Sequence, residues 1–160
     1  MLRFITLFSL FLVGVMSSAI HAEETDYNSL PLPELTQKAK AGDARAQFAL
    51  GAMYRDGFRV QQDDQQAVDW LRKAAEQGVM QAQFNLGLIY YKGRGVPEDV
   101  VLSYVFFSLA AAHGDDRLLV NRNLAVKRMT VEQLKEGEEI VNHWQPGKPL
   151  PLQSKTGVIK

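Results

Sequence analysis

A gap-free repeat of 36 residues constrains this chain more than any other feature: residues 43–78 and 79–114 align without an insertion. Twelve positions are identical between the copies. They are Ala46/Ala82, Gln47/Gln83, Phe48/Phe84, Leu50/Leu86, Gly51/Gly87, Tyr54/Tyr90, Gly57/Gly93, Val60/Val96, Asp63/Asp99, Ala74/Ala110, Ala75/Ala111 and Gly78/Gly114. A period of this length marks a stacked array of helical units, each too small to bury its apolar face alone. Arrays of this kind usually work by presenting a surface, so the chain reads first as a binding module.

The identities describe the unit. Ala46, Leu50, Gly51 and Tyr54 recur at helical spacing and give a first helix one apolar, partly very small face. Gly57 and Gly93 close that helix where the chain turns left-handed. Asp63 and Asp99 stand where a second helix starts, so that their carboxylates accept bonds from free N–H groups. The second helix then runs through Trp70, Leu71, Ala74 and Ala75 to Gly78, and in the other copy through Phe106, Phe107, Ala110 and Ala111 to Gly114. Alanine and glycine on these faces permit close helix approach, while the aromatic rings fill the wider gaps.

The pattern A-x-x-x-L-G-x-x-Y-x-x-G, then V, then D, and finally A-A-x-x-G resembles the Sel1-like repeat, a relative of the tetratricopeptide repeat. Both copies fit it through Leu50, Gly51, Tyr54, Gly57, Ala74, Ala75 and Gly78, and through Leu86, Gly87, Tyr90, Gly93, Ala110, Ala111 and Gly114. Gly93-Arg94-Gly95-Val96-Pro97 follows the family's G-x-G-V-P turn, whereas the first copy has Arg59 and Gln61 in place of the second glycine and the proline. The resemblance implies an all-α, right-handed α-solenoid over residues 33–144, with the two full repeats 43–78 and 79–114. It says little about a ligand.

The flanks read as caps. Leu35, Ala39 and Gly42 precede the first repeat at the offsets of Leu71, Ala75 and Gly78, so 33–41 resembles half a repeat. Residues 116–144 read as capping helices: one from 116 to 127 packing Leu118, Leu119, Leu124 and Val126, and one opened by the capping-box sequence Thr130-Val131-Glu132-Gln133. Residues 145–160, with prolines at 146, 149 and 151, are expected to form a flexible tail. Residues 1–22 have the form of a signal peptide, with Arg3, an apolar run from Phe4 to Met16, and small residues before cleavage after Ala22. Residues 23–32 then form a linker. The apolar run is short for a membrane span, which takes ~20 residues. The expectation is a periplasmic or secreted protein with no stable membrane insertion after signal removal. With no cysteine, it is neither a lipoprotein nor disulfide-stapled.

Catalytic chemistry finds no support in these residues. After signal removal only His113 and His143 remain, without a second histidine at ligand spacing, and no nucleophile elbow, phosphate loop or zinc motif is present. The pairs Asp63-Asp64 and Asp115-Asp116 precede helices and read as caps. No enzyme activity, metal or cofactor is expected. Loss of Arg3 leaves 17 of 18 basic side chains against 18 acidic ones, which offers nothing for nucleic acid.

The positions at which the copies differ are those the fold leaves free. On the first helices they include Ala49/Asn85, Ala52/Leu88, Arg55/Tyr91 and Asp56/Lys92. Asn85, Leu88 and Lys92 share one stripe, with Tyr91, Arg94 and Arg55 nearby, and these six are the candidate partner-binding residues. The resulting expectation is an exported, non-catalytic, monomeric or weakly oligomeric interaction module that grips a protein or peptide in a solenoid groove. Alternatives are an inhibitor or immunity protein capping a toxic enzyme, or a glycan or peptidoglycan binder using Tyr91, Gln83 and Asn85.

Overall fold

The computed structural model describes residues 26–157, which contain seven helices. They are α1 Leu32–Lys40, α2 Ala44–Asp56, α3 Asp64–Glu76, α4 Met80–Lys92, α5 Val100–Ala111, α6 Arg117–Val126 and α7 Val131–His143. The expected signal peptide lies outside the described residues. From α1 to α6 each helix packs on the next, and α5 also meets α7, giving an all-α solenoid. α2 and α3 form the first repeat; α4 and α5 form the second.

The helix boundaries follow local chemistry. Asp43 caps α2 by accepting from the N–H groups of Arg45 and Ala46 at 3.0 and 2.9 Å. Asp63 caps α3 through Gln66, and Asp99 caps α5 through Leu102, each at 3.0 Å. Thr130 and Gln133 close a reciprocal capping box at α7. The Asp115-Asp116 expectation is corrected: Asp116 makes no side-chain cap, and Asp115 instead pairs with Arg117 at 2.7 Å. Asp115 meets both the guanidinium and the backbone N–H of Arg117, the first residue of α6, so of the pair it is Asp115 that bonds at the helix start.

The turn inside each repeat has one conformation in both copies. Gly57 and Gly93 end α2 and α4 at φ 68° and 64°. Two residues on, Gly95 is left-handed at φ 72° and Arg59 at φ 63°. For a side-chain-bearing residue that conformation costs about 1–2 kcal/mol. The Arg59 guanidinium offsets it by donating to the carbonyls of Asn28 and Leu30 at 2.7 and 2.6 Å. Arg59 thereby ties residues of the expected linker to the first repeat, where Tyr27 also donates to Asp43 at 2.9 Å.

Within each repeat the two helices meet at a glycine. A Cβ on Gly51 would lie 2.9 Å from Leu71 Cγ, and one on Gly87 would lie 2.5 Å from Phe107 Cδ1. Leu50, Leu71, Leu86 and Phe106 are fully buried beside these contacts. Between repeats a buried glutamine does the joining. Gln47 donates to the Ala39 carbonyl at 3.1 Å and Gln83 to the Ala75 carbonyl at 3.2 Å. α1 therefore stands to α2 as α3 stands to α4.

Two expectations beyond the repeats are revised. On α6, Leu124 is 43% exposed and Val120 61%, and Ala125 is the residue that packs fully. The segment expected to be a flexible tail lies against the helices from 145 to 157. It is non-helical, as its prolines require, but Leu150 is 4% exposed within the core. Its backbone groups are held by side chains of Arg72, Glu76, Asp99 and Glu136. Weak helix propensity says nothing about such side-chain-to-backbone bonds, and they decide the tail's order.

Gly87→Ala should lower stability by ~1–3 kcal/mol through overpacking against Phe107, read as a drop in the thermal midpoint with α-helical circular dichroism retained below it. Asp43 supplies a pH test. Burial opposes its ionisation, but bonds from Ala46 N–H, the Tyr27 hydroxyl and Arg45 N–H outweigh it and hold its pKa below the usual 3.8. A depressed native pKa contributes stability above 3.8 that is lost as pH falls through the lower native value. Asp43→Ala should cost about 1 kcal/mol at neutral pH. It should also reduce the difference between melts at neutral pH and at about pH 3.

Candidate functional site

The first helices of three successive units border one groove of about 280 Å³, lined by Phe48 and Arg55 of α2, Met80, Gln81, Phe84 and Asn85 of α4, and Leu118 of α6. Its floor is apolar. Phe84 is half-buried and its ring sits 5.8 Å from that of Phe107, so the same side chain floors the groove and packs on the core. Met80 and Leu118 are likewise half-buried, which leaves apolar surface available on a ledge of fixed helices.

The polar end is ordered by Arg55. Its guanidinium donates to Asn85 Oδ1 at 2.7 Å and grips Asp56 through two bonds of 2.7 and 2.6 Å. That forked bond holds the Asp56 carboxyl below its usual pKa range. Arg94 forms an ion pair with Asp64 at 2.9 Å and donates to the Arg55 carbonyl at 3.0 Å. Arg55, Asn85 and Arg94 thus form one chain of contacts linking the repeats.

The other three candidates lie elsewhere. Leu88 and Tyr91 are half-buried and pack against the core. The Arg128 guanidinium covers the Tyr91 ring at 4.8 Å, donates to the Tyr91 carbonyl, and pairs with Glu98. Lys92 is exposed in the last turn of α4. The stripe Asn85, Leu88, Lys92 is therefore not one open strip: its first member borders the groove, its second packs inward, and its third faces solvent.

Five lining residues were not among the candidates. Phe48 and Phe84 are identical between copies and so read as framework, although each shows one edge to the groove. Met80 and Gln81 open α4, and Leu118 belongs to a capping helix outside the two repeats. Their common signal is apolar or amide character at the start of the first helices, one turn before the stripe that was chosen. As for titratable groups, His143 Nδ1 sits 2.7 Å from the Glu139 carbonyl, and His113 is exposed just past α5. Among the described residues no group of three His, Cys, Asp or Glu is placed to hold a metal, and no helix is long and apolar enough to cross a membrane.

The family model described as Sel1 repeat matches residues 44–79 and 81–115, the two copies found by self-comparison. The chain carries Sel1 repeats. Proteins of this family generally mediate protein–protein interaction and are typically non-catalytic scaffolds. The Sel1-repeat chain is 46% identical over 43 residues to the secretory immunoglobulin A-binding protein EsiB of Escherichia coli O6:H1 strain CFT073, covering 27% of this chain and 9% of that protein. The crystal structure of c5321, a protective antigen of uropathogenic Escherichia coli strains with an SLR fold, matches with a TM-score of 0.66 and 39% identity. That match covers 69% of this chain and 24% of that one. A Sel1 repeat protein from Oxalobacter formigenes matches with a TM-score of 0.54 and 33% identity, over 56% of this chain and 37% of that one. The chain spans well under half the length of each.

The geometry separates Tyr91 from Lys92. Tyr91→Ala should cost about 1–3 kcal/mol through lost core packing and the lost Arg128 contact, while Lys92→Ala should stay within about 0.5 kcal/mol of the parent. Chemical denaturation of the two single variants reads the difference.

Proposed function

We propose that this chain is an exported adaptor that holds a segment of another protein in the groove between α2, α4 and α6. The observation that carries this reading is the groove's make-up. Half-buried Phe48, Met80, Phe84 and Leu118 offer a hydrophobic seat, and the Arg55–Asn85 pair and Gln81 border it with polar groups. Interfaces combine such an apolar centre with a polar rim, and aromatic, methionine and arginine side chains are enriched in them. A preformed groove on packed helices also costs little ordering on binding. The Sel1 repeats support a protein partner, and so does the likeness to a protein named for binding secretory immunoglobulin A. Partner size follows from the architecture: two full repeats offer a short groove, suited to a small epitope or a single domain. Export rests on the N-terminal sequence of residues 1–22, with its basic start, uncharged apolar run and small residues before Ala22.

Cross-linked capture from cell-envelope extracts, with the mature chain from Glu23 as bait, tests the reading. Gln81→Arg/Leu118→Arg places two cations in the groove at positions that are exposed or half-buried, so stability should change by no more than ~1 kcal/mol. A protein held by the parent should be lost by this variant and retained by Lys92→Ala. Retention by the groove variant would overturn the assignment of this surface. A captured enzyme that is silenced one-to-one would mark the inhibitor form of the same binding role.

A further inference from the structure

Opposite chemistry is assembled on another face, by residues of α3, α5 and α7 around the C-terminal segment. Arg72 is 8% exposed, and it donates to the carbonyls of Leu150 at 2.6 Å and Pro151 at 3.1 Å. Glu76 accepts from Leu150 N–H at 3.0 Å, and its own carbonyl accepts from Gly147 N–H at 2.6 Å. Asp99 is 1% exposed, and it receives Ser154 through both backbone N–H and hydroxyl, each at 2.8 Å. Glu136 accepts from the N–H groups of Lys155 and Thr156 and from the Thr156 hydroxyl. Gln133 donates to the Thr156 carbonyl, and Val100 N–H donates to the Gly157 carbonyl. The segment bends at 152–153 and 155–156 and bonds itself through Gly157 N–H to Ser154 Oγ at 2.8 Å. The backbone groups it turns towards the helices are met by their side chains, as a peptide is read by a receptor.

Two observations distinguish this from ordinary packing of a chain end. First, two of the side chains that do the holding depart from the repeat, and a third adds a contact that its repeat counterpart lacks. Arg72 and Glu76 occupy the places of Ser108 and Ala112 in the second copy, so the repeat fold does not require them. Asp99 and Asp63 share a repeat position, yet Asp63 only caps a helix while Asp99 caps one and also binds Ser154. Second, the surface discriminates by side chain. Leu150 enters the core, Ser154 is 7% exposed against Asp99, and a Cβ at Gly157 would lie 2.4 Å from Asp99 Oδ1 and 2.5 Å from Ser154 Oγ. Leu152 between them is 78% exposed and makes no such demand.

We propose that this face is a second peptide-binding site, specific for a non-helical, bent Leu-Pro-x-x-Ser-x-Thr-Gly segment, and that its resident ligand is the chain's own C-terminal segment bound in cis. It is separate from the groove and stands whether or not the groove binds a partner. The carboxylates of Glu76, Asp99 and Glu136 take the segment's N–H and hydroxyl donors, Arg72 takes its carbonyls, and glycine is required where the chain passes Asp99. The covalent link through 145–149 holds the segment near but contributes none of the contacts at Leu150, Ser154 or Gly157. The same segment therefore binds when supplied as a separate peptide.

The test uses the full mature chain with a protease site inserted between Gln145 and Pro146 and cut after folding. The released piece should stay bound on gel filtration, and a fluorescent peptide of residues 146–160 should exchange into the site. Competitor peptides carrying Ser154→Ala or Gly157→Ala should be at least ten-fold weaker than the parent peptide, and Leu152→Ala should equal it. Arg72→Ala in the cut protein should weaken the parent peptide by a similar factor. Dissociation of the piece without rebinding of labelled peptide would overturn the proposal. So would equal competition by the Gly157→Ala peptide. Unfolding of the cut protein on loss of the segment would also overturn it, because the segment would then be an element of the fold.

Discussion

An absent side chain sets the spacing on which the rest of the molecule depends. Gly51 faces Leu71 and Gly87 faces Phe107, so close that a single methyl would collide in either repeat. Close approach at that point brings Leu50 and Leu86 into full burial and lets Tyr90 stack on Phe106 with centroids 5.6 Å apart. It also fixes how far apart successive first helices stand. Packed helices cannot slide to absorb an extra atom, because interiors pack at crystal-like density. Phe84, which floors the groove between α2, α4 and α6, packs on the same Phe107 ring that meets Gly87.

The joints between repeats obey a different rule. Each is polar and buried, a glutamine amide donating to a carbonyl in the last turn of the preceding helix. Each of those carbonyls also accepts from a glycine N–H just past its helix, Gly42 at 3.1 Å and Gly78 at 2.9 Å, so the glutamine supplies a second donor at a buried helix end. Gln47 and Gln83 were visible as identities in the sequence, but their purpose was not, since an amide on a small apolar face reads as surface until a neighbouring helix end is placed beside it. The same gap explains Arg59. The departure from glycine announced a problem at that turn, while its solution lies in two carbonyls roughly thirty residues earlier, which no local pattern links to it.

Self-comparison made the repeats and the caps at Asp63 and Asp99 legible, and the Thr130 capping box was legible from its own pattern, because each rests on spacing or on a residue's own backbone preference. The Asp43 cap, aligned with Val79 in the other copy, was not read. Self-comparison was weaker for surfaces. Identity between copies was read as framework, which hid Phe48 and Phe84: an aromatic ring is large enough to pack on the core with one edge and border a groove with the other. Difference between copies was read as freedom, and Leu88 and Tyr91 are in fact half-buried. Their freedom is taken up by the core and by Arg128 of the cap, contacts that exist only because the array ends there. The tail was the largest departure, since proline argues against helix and is silent on whether an extended segment finds donors and acceptors to hold it.

Applied to the second helices, the comparison of copies points somewhere the first helices did not. Arg72 and Glu76 break the repeat, and both bond the C-terminal segment, Arg72 while also donating to the Tyr90 hydroxyl of the next repeat at 3.2 Å. A charged side chain buried to this degree is tolerated only when its bonds are met, and for Arg72 the carbonyls of Leu150 and Pro151 join Glu76 and the Tyr90 hydroxyl in meeting them. The two faces accordingly work by different physics. The groove offers apolar area with a thin polar edge, which favours affinity from burial and tolerates varied sequences. The tail face offers carboxylates and a guanidinium aimed at backbone groups, with one pocket for leucine and one point where only glycine passes. Burial of apolar area discriminates weakly, whereas unmet buried charges discriminate strongly. The face that holds the tail is thus built for selectivity in a way that the groove is not.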